Sequence, residues 1–423
     1  MNRRIRQQLI RSALGGTMVA LAIVAAFQSP ASASNGVELN GVSLQARSRG
    51  GADVAVGDSA LSQIDNPAAL SLAPRRRDFI AFTNQTVFPT VDWRGPLDSS
   101  RSDRRIIPLA DFGYANSDDD RWSWGVAFHS RCGLATQYNY RPLLMPWREV
   151  RAGTDAKNVN FSFNAAYKVT DQFSIGAGIR AEVVTAEFRK PLAIADIKFG
   201  RGYAYGIGFD LGAHYRPTDK LSFGIAYRSP TWATDLAGGA ATASIMGLPS
   251  IRLGDANIDQ IRLPQRVSIG AAYDLTSWCK LVAEAPWITY RNSTWRNLVV
   301  ATDVPLDWRV QMPLGYADQY VFIIGADLKL DENWTLGVGY NHGTNPIRRT
   351  HLNPVGSVLN RDDISVGIRY SRENWWVGAG YIIGLPQRMS GSGWSKIPLG
   401  IDYAHSEIRQ MQQSLIAGFG ISW

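Results

Sequence analysis

Beyond residue 77, apolar side chains alternate with small or polar ones at every second position, in stretches of about ten residues, the length of a tilted strand crossing a bilayer. The clearest stretch sets Tyr203, Tyr205, Ile207, Phe209, Leu211, Ala213 and Tyr215 against Gly202, Ala204, Gly206, Gly208, Asp210, Gly212 and His214. A helix cannot produce period two, so one face of a strand is meant for an apolar medium and the other for a confined interior. Fourteen such stretches occur. They are Asp78–Phe88, Leu109–Asn116, Arg121–Ser130, Asn158–Val169, Gln172–Phe188, Gly202–Tyr215, Lys220–Ser229, Gln265–Leu275, Lys280–Tyr290, Asp318–Leu330, Asn333–His342, Asp362–Ser371, Asn374–Gly384 and Ser414–Trp423.

The segments between them alternate strictly between tight and long. Tight turns fall at Ser117–Asp120, Thr170-Asp171, Pro217–Asp219, Thr276–Trp278, Asp331-Glu332 and Arg372-Glu373, and long loops at about 89–108, 131–157, 189–201, 230–264, 291–317, 343–361 and 385–413. Long loops on one rim and tight turns on the other are the asymmetry of an outer-membrane barrel, and a secreted β-sandwich does not sort its loops this way. The pattern therefore predicts an all-β fold, a fourteen-stranded antiparallel transmembrane β-barrel over residues 77–423, with both termini on the tight-turn, periplasmic side. Several strands leaving a tight turn share a motif, as in Phe173-Ser-Ile-Gly-Ala-Gly178, Leu221-Ser-Phe-Gly-Ile-Ala-Tyr227, Trp334-Thr-Leu-Gly-Val-Gly-Tyr340 and Trp375-Trp-Val-Gly-Ala-Gly-Tyr381, which a repeated hairpin explains without any function.

Before residue 77 the pattern is different. Arg3, Arg4, Arg6 and Arg11 precede an apolar run from Ala13 to Phe27, and Ala31-Ser32-Ala33 follows, which reads as a signal peptide, residues 1–33, cleaved after Ala33. Gly50–Pro74 is compact, small-residue-rich and kinked at Asp65-Asn66-Pro67, with too few large apolar groups to build a core of its own. Residues 34–76 are therefore expected to be enclosed as a small N-terminal luminal plug.

Composition narrows the function. Removing the signal's four arginines from the 44 basic side chains leaves 40 against 36 acidic ones, too balanced for a nucleic-acid partner. The histidines at 129, 214, 342, 351 and 405 show no metal spacing and no Gly-x-Ser-x-Gly element occurs, so no cofactor, metal or catalytic residue is expected and the protein reads as a non-enzyme. Asp118-Asp119-Asp120 reads as a solvated charge cluster in a turn rather than a calcium site. Cys132 and Cys279 fall on opposite rims, too far apart for a disulfide, and are expected as free thiols.

Gly50-Gly51-Ala52, Gly57-Asp58-Ser59-Ala60 and Asn66-Pro67-Ala68, in that order after a signal peptide and before a barrel pattern, resemble the N-terminal plug of the FadL/TodX family of outer-membrane transporters for hydrophobic compounds. Leu263-Pro264 leading into Val267–Tyr273, then Trp287-Ile-Thr-Tyr290, is similar to the family too, and the alternation ending at Trp423 resembles the signal read by outer-membrane assembly machinery. The resemblance implies passive uptake of long-chain fatty acids or aromatic hydrocarbons by a monomer in the bacterial outer membrane, among lipid and lipopolysaccharide. It also marks Asp58, Asn66, Pro67 and Ala68 as the plug motif. Members of the family are understood to release ligand sideways at a kink in the third strand. A diffusion porin for polar solutes and a structural or adhesive barrel are the alternatives.

Candidate ligand-binding residues are few. Leu143, Leu144, Met145 and Trp147 in one loop, and Ile245–Pro249 in another, are expected either to form an outer capture groove or to cap the barrel. Alternation places Arg228 and Arg266 inward near the long-loop rim, where they could hold a carboxylate or pair with luminal acids such as Asp210 or Asp274. Pro286, inside the ninth stretch, removes a ladder donor and is expected to mark a bulge or a local break in pairing.

Overall fold

The computed structural model describes residues 35–72, 78–117, 121–192, 194–245, 248–302 and 308–423, so the signal-peptide assignment and the Asp118–Asp120 cluster lie outside it. Fourteen long strands form the wall. They are β1 Asp78–Arg94, β2 Ile107–Asn116, β3 Trp122–Tyr140, β4 Val150–Lys168, β5 Phe173–Leu192, β6 Ala195–Tyr215 and β7 Leu221–Arg228, followed by β8 Gln265–Asp274, β9 Cys279–Thr289, β10 Gln319–Lys329, β11 Trp334–Gly343, β12 Asp362–Arg372, β13 Trp375–Ser390 and β14 Glu407–Ser422. Each pairs antiparallel with its sequence neighbours, and β1 pairs with β14 from Phe79↔Ser422 to Arg94↔Glu407, which closes the sheet. Closure leaves no continuous sheet edge with unpaired peptide groups facing lipid.

The outer surface explains the alternation. Ile179, Tyr205, Ile207, Phe322 and Ile324 are each more than half exposed, an apolar surface too extensive for a water-soluble monomer but suited to acyl chains. Aromatic pairs gather where strands meet the tight turns, as in Trp334–Tyr370 and Tyr370–Trp375, the position of an interfacial girdle.

Several expected loops are strand. β3 and β4 stay paired up to Tyr140↔Val150, and β5 and β6 up to Leu192↔Ala195, so much of 131–157 and 189–201 is a hairpin rising past the apolar band. Outward residues there need not be apolar, and the alternation that identifies membrane strands fades although the ladder continues. Loop strands Leu236–Ile245, Ile251–Ile258, Asn297–Thr302 and Trp308–Pro313 extend the same wall within 230–264 and 291–317.

Pro286 leaves a local break and no bulge. Toward β8 the ladder is continuous through Ser268↔Pro286. Toward β10 it is interrupted between Glu284↔Ile323 and Trp287↔Tyr320 and resumes in the same register.

Candidate functional site

Residues 35–72 lie in the lumen as a short helix α1, Leu44–Ser48, and two 3-10 turns, Ala60–Ile64 and Pro67–Leu72. Local chemistry sets these turns. Ser43 caps α1 by accepting from the Ala46 N–H, and Ser59 with Ser62 forms a reciprocal capping box. At Gly50 and Gly51 the backbone turns with φ of +78° and +105°, which side-chain-bearing residues rarely adopt.

Asn66 is the hub of the plug motif. Its Oδ1 accepts from the Ala68 N–H, fixing the turn, while its Nδ2 donates to the carbonyls of Val54 within the plug and Ala213 in β6. Asp58 is held by Arg49 and lies 3.6 Å from Arg369 of β12. Arg49, wholly buried, also reaches Asp53 and Asp327 of β10, so one guanidinium ties three carboxylates from plug and wall.

The repeated glycines receive a physical explanation that a hairpin repeat does not supply. A Cβ at Gly176 would overlap the Ala68 backbone, at Gly224 the Val54 carbonyl, and at Gly339 the Gly50 amide. Gly378 faces Leu44 and Gly337 faces Ser48 in the same way. The inward side of the repeat is a mould of the plug.

Above the plug the lumen changes character. From the tight turn upward, the inward face of β5 presents Ser174, Gly176, Gly178, Arg180 and Glu182, then Val184 and Ala186. Arg180 and Glu182 belong to a buried ionic layer with Arg131, Glu38 and Asp210. The later residues join an apolar cluster with Phe199, Leu236, Ile258, Leu263, Tyr290 and Tyr316, supplied largely by the extended loops. A polar floor therefore underlies an apolar chamber wall.

The wall also has a seam. β2 and β3 pair only from Asn116↔Trp124 to Phe112↔Phe128, although β2 remains paired to β1 up to Val87↔Ile107. Where they part, Asp111 accepts from the Ser130 N–H and from Arg47 of α1, and β3 shifts register against β4 between Ser130 and Cys132. Residues 37–39 lie along β3 at this point. The Leu39 N–H donates to Arg131 and the Gly133 N–H to Val37, with Glu38 opposite Cys132, while the Leu39 side chain packs on Val87, Ile107 and Leu109.

The expected ligand residues separate. Arg228 and Arg266 are directly cross-strand and face inward. Arg228 donates to Asp210 and to the Ile64 carbonyl of the plug, and Arg266 to Glu284 and Ser268. Of the two acids named from alternation, Asp210 is a partner, but Asp274 pairs with Lys280 at the turn end and Glu284 serves Arg266. In the loop, Met145 is buried, Leu143 half-buried and Trp147 73% exposed, and the Leu143 N–H donates to Asp402 of the loop helix α2, Ile401–Ala404. Burial raises the Asp402 carboxyl above its usual range. The 143–147 segment is thus anchored to a neighbouring loop through Leu143, while Leu144, 49% exposed, and Trp147 point away into the open. Ile245 and Leu248 remain exposed at their own tip, and Met246 and Gly247 are outside the described residues. Cys132 and Cys279 are free thiols.

Sequence reasoning missed Arg49, Arg131, Arg180, Glu38 and Glu182. The available signal was charge on the inward parity of a strand, as with Arg180 and Glu182 two residues apart on β5.

A family model for the outer membrane protein transport proteins described as OMPP1/FadL/TodX matches residues 22–381. The long-chain fatty acid transport protein of Salmonella typhi is 22% identical over 439 residues, covering 92% of each chain. Outer membrane protein P1 of Haemophilus influenzae is 22% identical over 297 residues, covering 60% of this chain and 62% of that one. Among solved structures, the toluene transporter TodX of P. putida superposes with a TM-score of 0.76 at 19% identity, over 90% of this chain and 98% of the other. A FadL homologue of Pseudomonas aeruginosa gives 0.72 at 14%, over 92% and 99%. These superpositions establish a shared fold.

Proposed function

The chain belongs to the OMPP1/FadL/TodX family of outer-membrane transport proteins, and from that premise we propose that it is a passive, non-enzymatic uptake channel for hydrophobic molecules, long-chain fatty acids or aromatic hydrocarbons. In this reading the signal peptide is removed after Ala33, the remaining N-terminal segment through residue 76 is the plug, and the barrel works as a monomer with its long loops outward and both termini periplasmic. Assembly machinery reads the C-terminal strand, and lipopolysaccharide surrounds the loop end.

The observation that carries the proposal is the vertical sorting of the lumen, apolar toward the loops and ionic around the plug. A greasy molecule gains by entering the chamber and loses by displacing Arg–carboxylate pairs below it, because buried charges without partners cost several kcal/mol, about 3–5 for one broken pair. Sideways release at the seam breaks one pair of that layer, Arg131–Glu38, and leaves Glu182 to hold Arg131. The seam starts five residues along β2 from Asn116, about 13 Å along the barrel axis at roughly 3.3 Å per residue and about 40° of tilt, so it opens within the membrane. On the outer wall beside it, Phe128, Val159, Phe161, Val183, Tyr205 and Trp232 line an apolar hollow of about 680 Å³. Residues 37–39 close the seam, and their displacement is the opening step.

The functional test pairs uptake with conductance. Cells depending on this protein should take up labelled oleate or toluene, and the purified barrel in planar bilayers should show little steady ion current. A large steady current without hydrophobic uptake would replace this reading with a porin.

Arg228 and Arg266 admit two roles. A carboxylate-holding role follows from their inward position, but it requires Asp210 and Glu284 to yield their partners; the Arg228–Ile64 hydrogen bond instead favours anchoring of the plug. Replacing both with Gln distinguishes them. Selective loss of fatty-acid uptake marks ligand binding, and equal loss for an uncharged hydrocarbon marks anchoring.

A further inference from the structure

Several arginines of the long-loop end pair one-to-one with acids, and three others gather in a single hollow. Arg101 pairs with Asp92, Arg189 with Asp196, Arg201 with Asp155, Arg291 with Asp318 and Arg309 with Asp259. At the upper ends of β11–β13, Arg349, Arg361 and Arg388 line a surface hollow of about 390 Å³ together with Asn345, Gln387 and Ser390. Main-chain carbonyls orient two of the guanidiniums without cancelling their charge. Arg349 donates to Ser390 and Gly391, and Arg361 to Gly343. Arg388 shares its carboxylate, Glu407, with Arg409. The flanking Asp362 is engaged by His342, Tyr340 and Gln387.

Height identifies what meets these cations. On β13, outward Trp375 lies at the turn-end girdle, followed by Val377, Tyr381 and Ile383, and a register shift between Gly384 and Gln387 precedes exposed Arg388. Thirteen residues at about 3.3 Å each and about 40° of tilt rise roughly 33 Å, against an apolar band of about 25 Å. Arg388 therefore stands just beyond the hydrocarbon, at the level of headgroups. We propose that Arg349, Arg361 and Arg388 form a binding site for the phosphate groups of a lipopolysaccharide molecule docked on the β11–β13 face. Guanidinium forks match phosphate oxygens in paired, charge-assisted hydrogen bonds, and Asn345 and Gln387 add neutral amide groups for the attached sugars. The site rests on the outward orientation of the long loops stated above.

The test uses the full protein purified from outer membranes, with lipopolysaccharide retention measured by native mass spectrometry and by phosphate content. Arg349→Gln, Arg361→Gln and Arg388→Gln combined should lower retention and rebinding at least about tenfold. The combination Arg101→Gln with Arg309→Gln, which removes acid-paired arginines elsewhere on the same end, should leave both unchanged. Enzymatically dephosphorylated lipopolysaccharide should rebind about as weakly to the wild type, and millimolar inorganic phosphate should not displace the intact lipid. Equal retention by the triple variant, equal binding of the dephosphorylated lipid, or displacement by inorganic phosphate alone would each overturn the proposal. Labelling Ser250→Cys in intact cells with an impermeant maleimide reports loop orientation independently, and hydrophobic uptake by the triple variant reports transport, so failure of either reading is separable from failure of the lipid site.

Discussion

Arg49 and the inward glycines show how single positions hold the plug. Arg49→Ala leaves Asp53, Asp58 and Asp327 facing one another in a buried site, a loss on the order of 3–5 kcal/mol for the plug's seating. The wall keeps its ladder, so heat-modifiable gel mobility should persist while ion leak through planar bilayers rises. Gly176→Val should act alike by pressing on Ala68, at about 1–3 kcal/mol, whereas Ala177→Val, one residue away on the exposed outer face, should do nothing. Ion leak from both or neither would show that the inward face of the repeat does not seat the plug. His351 tests the loops. Burial, with Lys396, Arg348 and Arg296 nearby, lowers its pKa below the usual value, so an opened loop binds a proton more readily. Stability from this residue is complete above about pH 6.5 and declines as pH falls toward the folded pKa. Protection from hydrogen exchange around residues 343–361, taken relative to the intrinsic base-catalysed rate, should fall near pH 5, and His351→Gln should flatten that dependence.

Between elements, the decisive relation is that of residues 37–39 to the seam. Glu38 and Cys132 face each other with flanking hydrogen bonds from Leu39 to Arg131 and from Gly133 to Val37, the narrow type of antiparallel pair, with Cα atoms about 4.5 Å apart. That lies within disulfide reach. Glu38→Cys should therefore bond to the native Cys132 on oxidation and clamp the N-terminal segment to β3. Uptake should fall at least about tenfold in the oxidised variant and recover with reductant, with the wild type indifferent to both treatments. A formed disulfide with unchanged uptake would place the exit elsewhere. β9 offers a contrast, since its interruption beside Pro286 keeps register and is continuous toward β8, leaving no comparable parting of the wall.

For the whole molecule, a plugged, ion-paired lumen predicts that hydrophobic uptake and ionic conductance vary in opposite senses. Arg49→Ala should raise ion current without raising oleate uptake if, as proposed, the greasy route leaves sideways above the plug; a parallel rise of both would mean that ligand passes through it. The sequence by itself determined the barrel, because period-two alternation and the sorting of tight from long connections are local properties imposed by lipid and by the backbone's need for partners. It also determined that Gly50–Pro74 needs enclosure, since a segment so poor in large apolar groups cannot enclose itself. Only the tertiary structure decided what the glycines of the repeat face, why Arg266 pairs with Glu284 rather than Asp274, and that residues 37–39 stand in for the missing β2 partner of β3. Those relations join positions up to hundreds of residues apart around a closed wall. Alternation tells which side of a strand a residue occupies and nothing about its neighbour across the lumen.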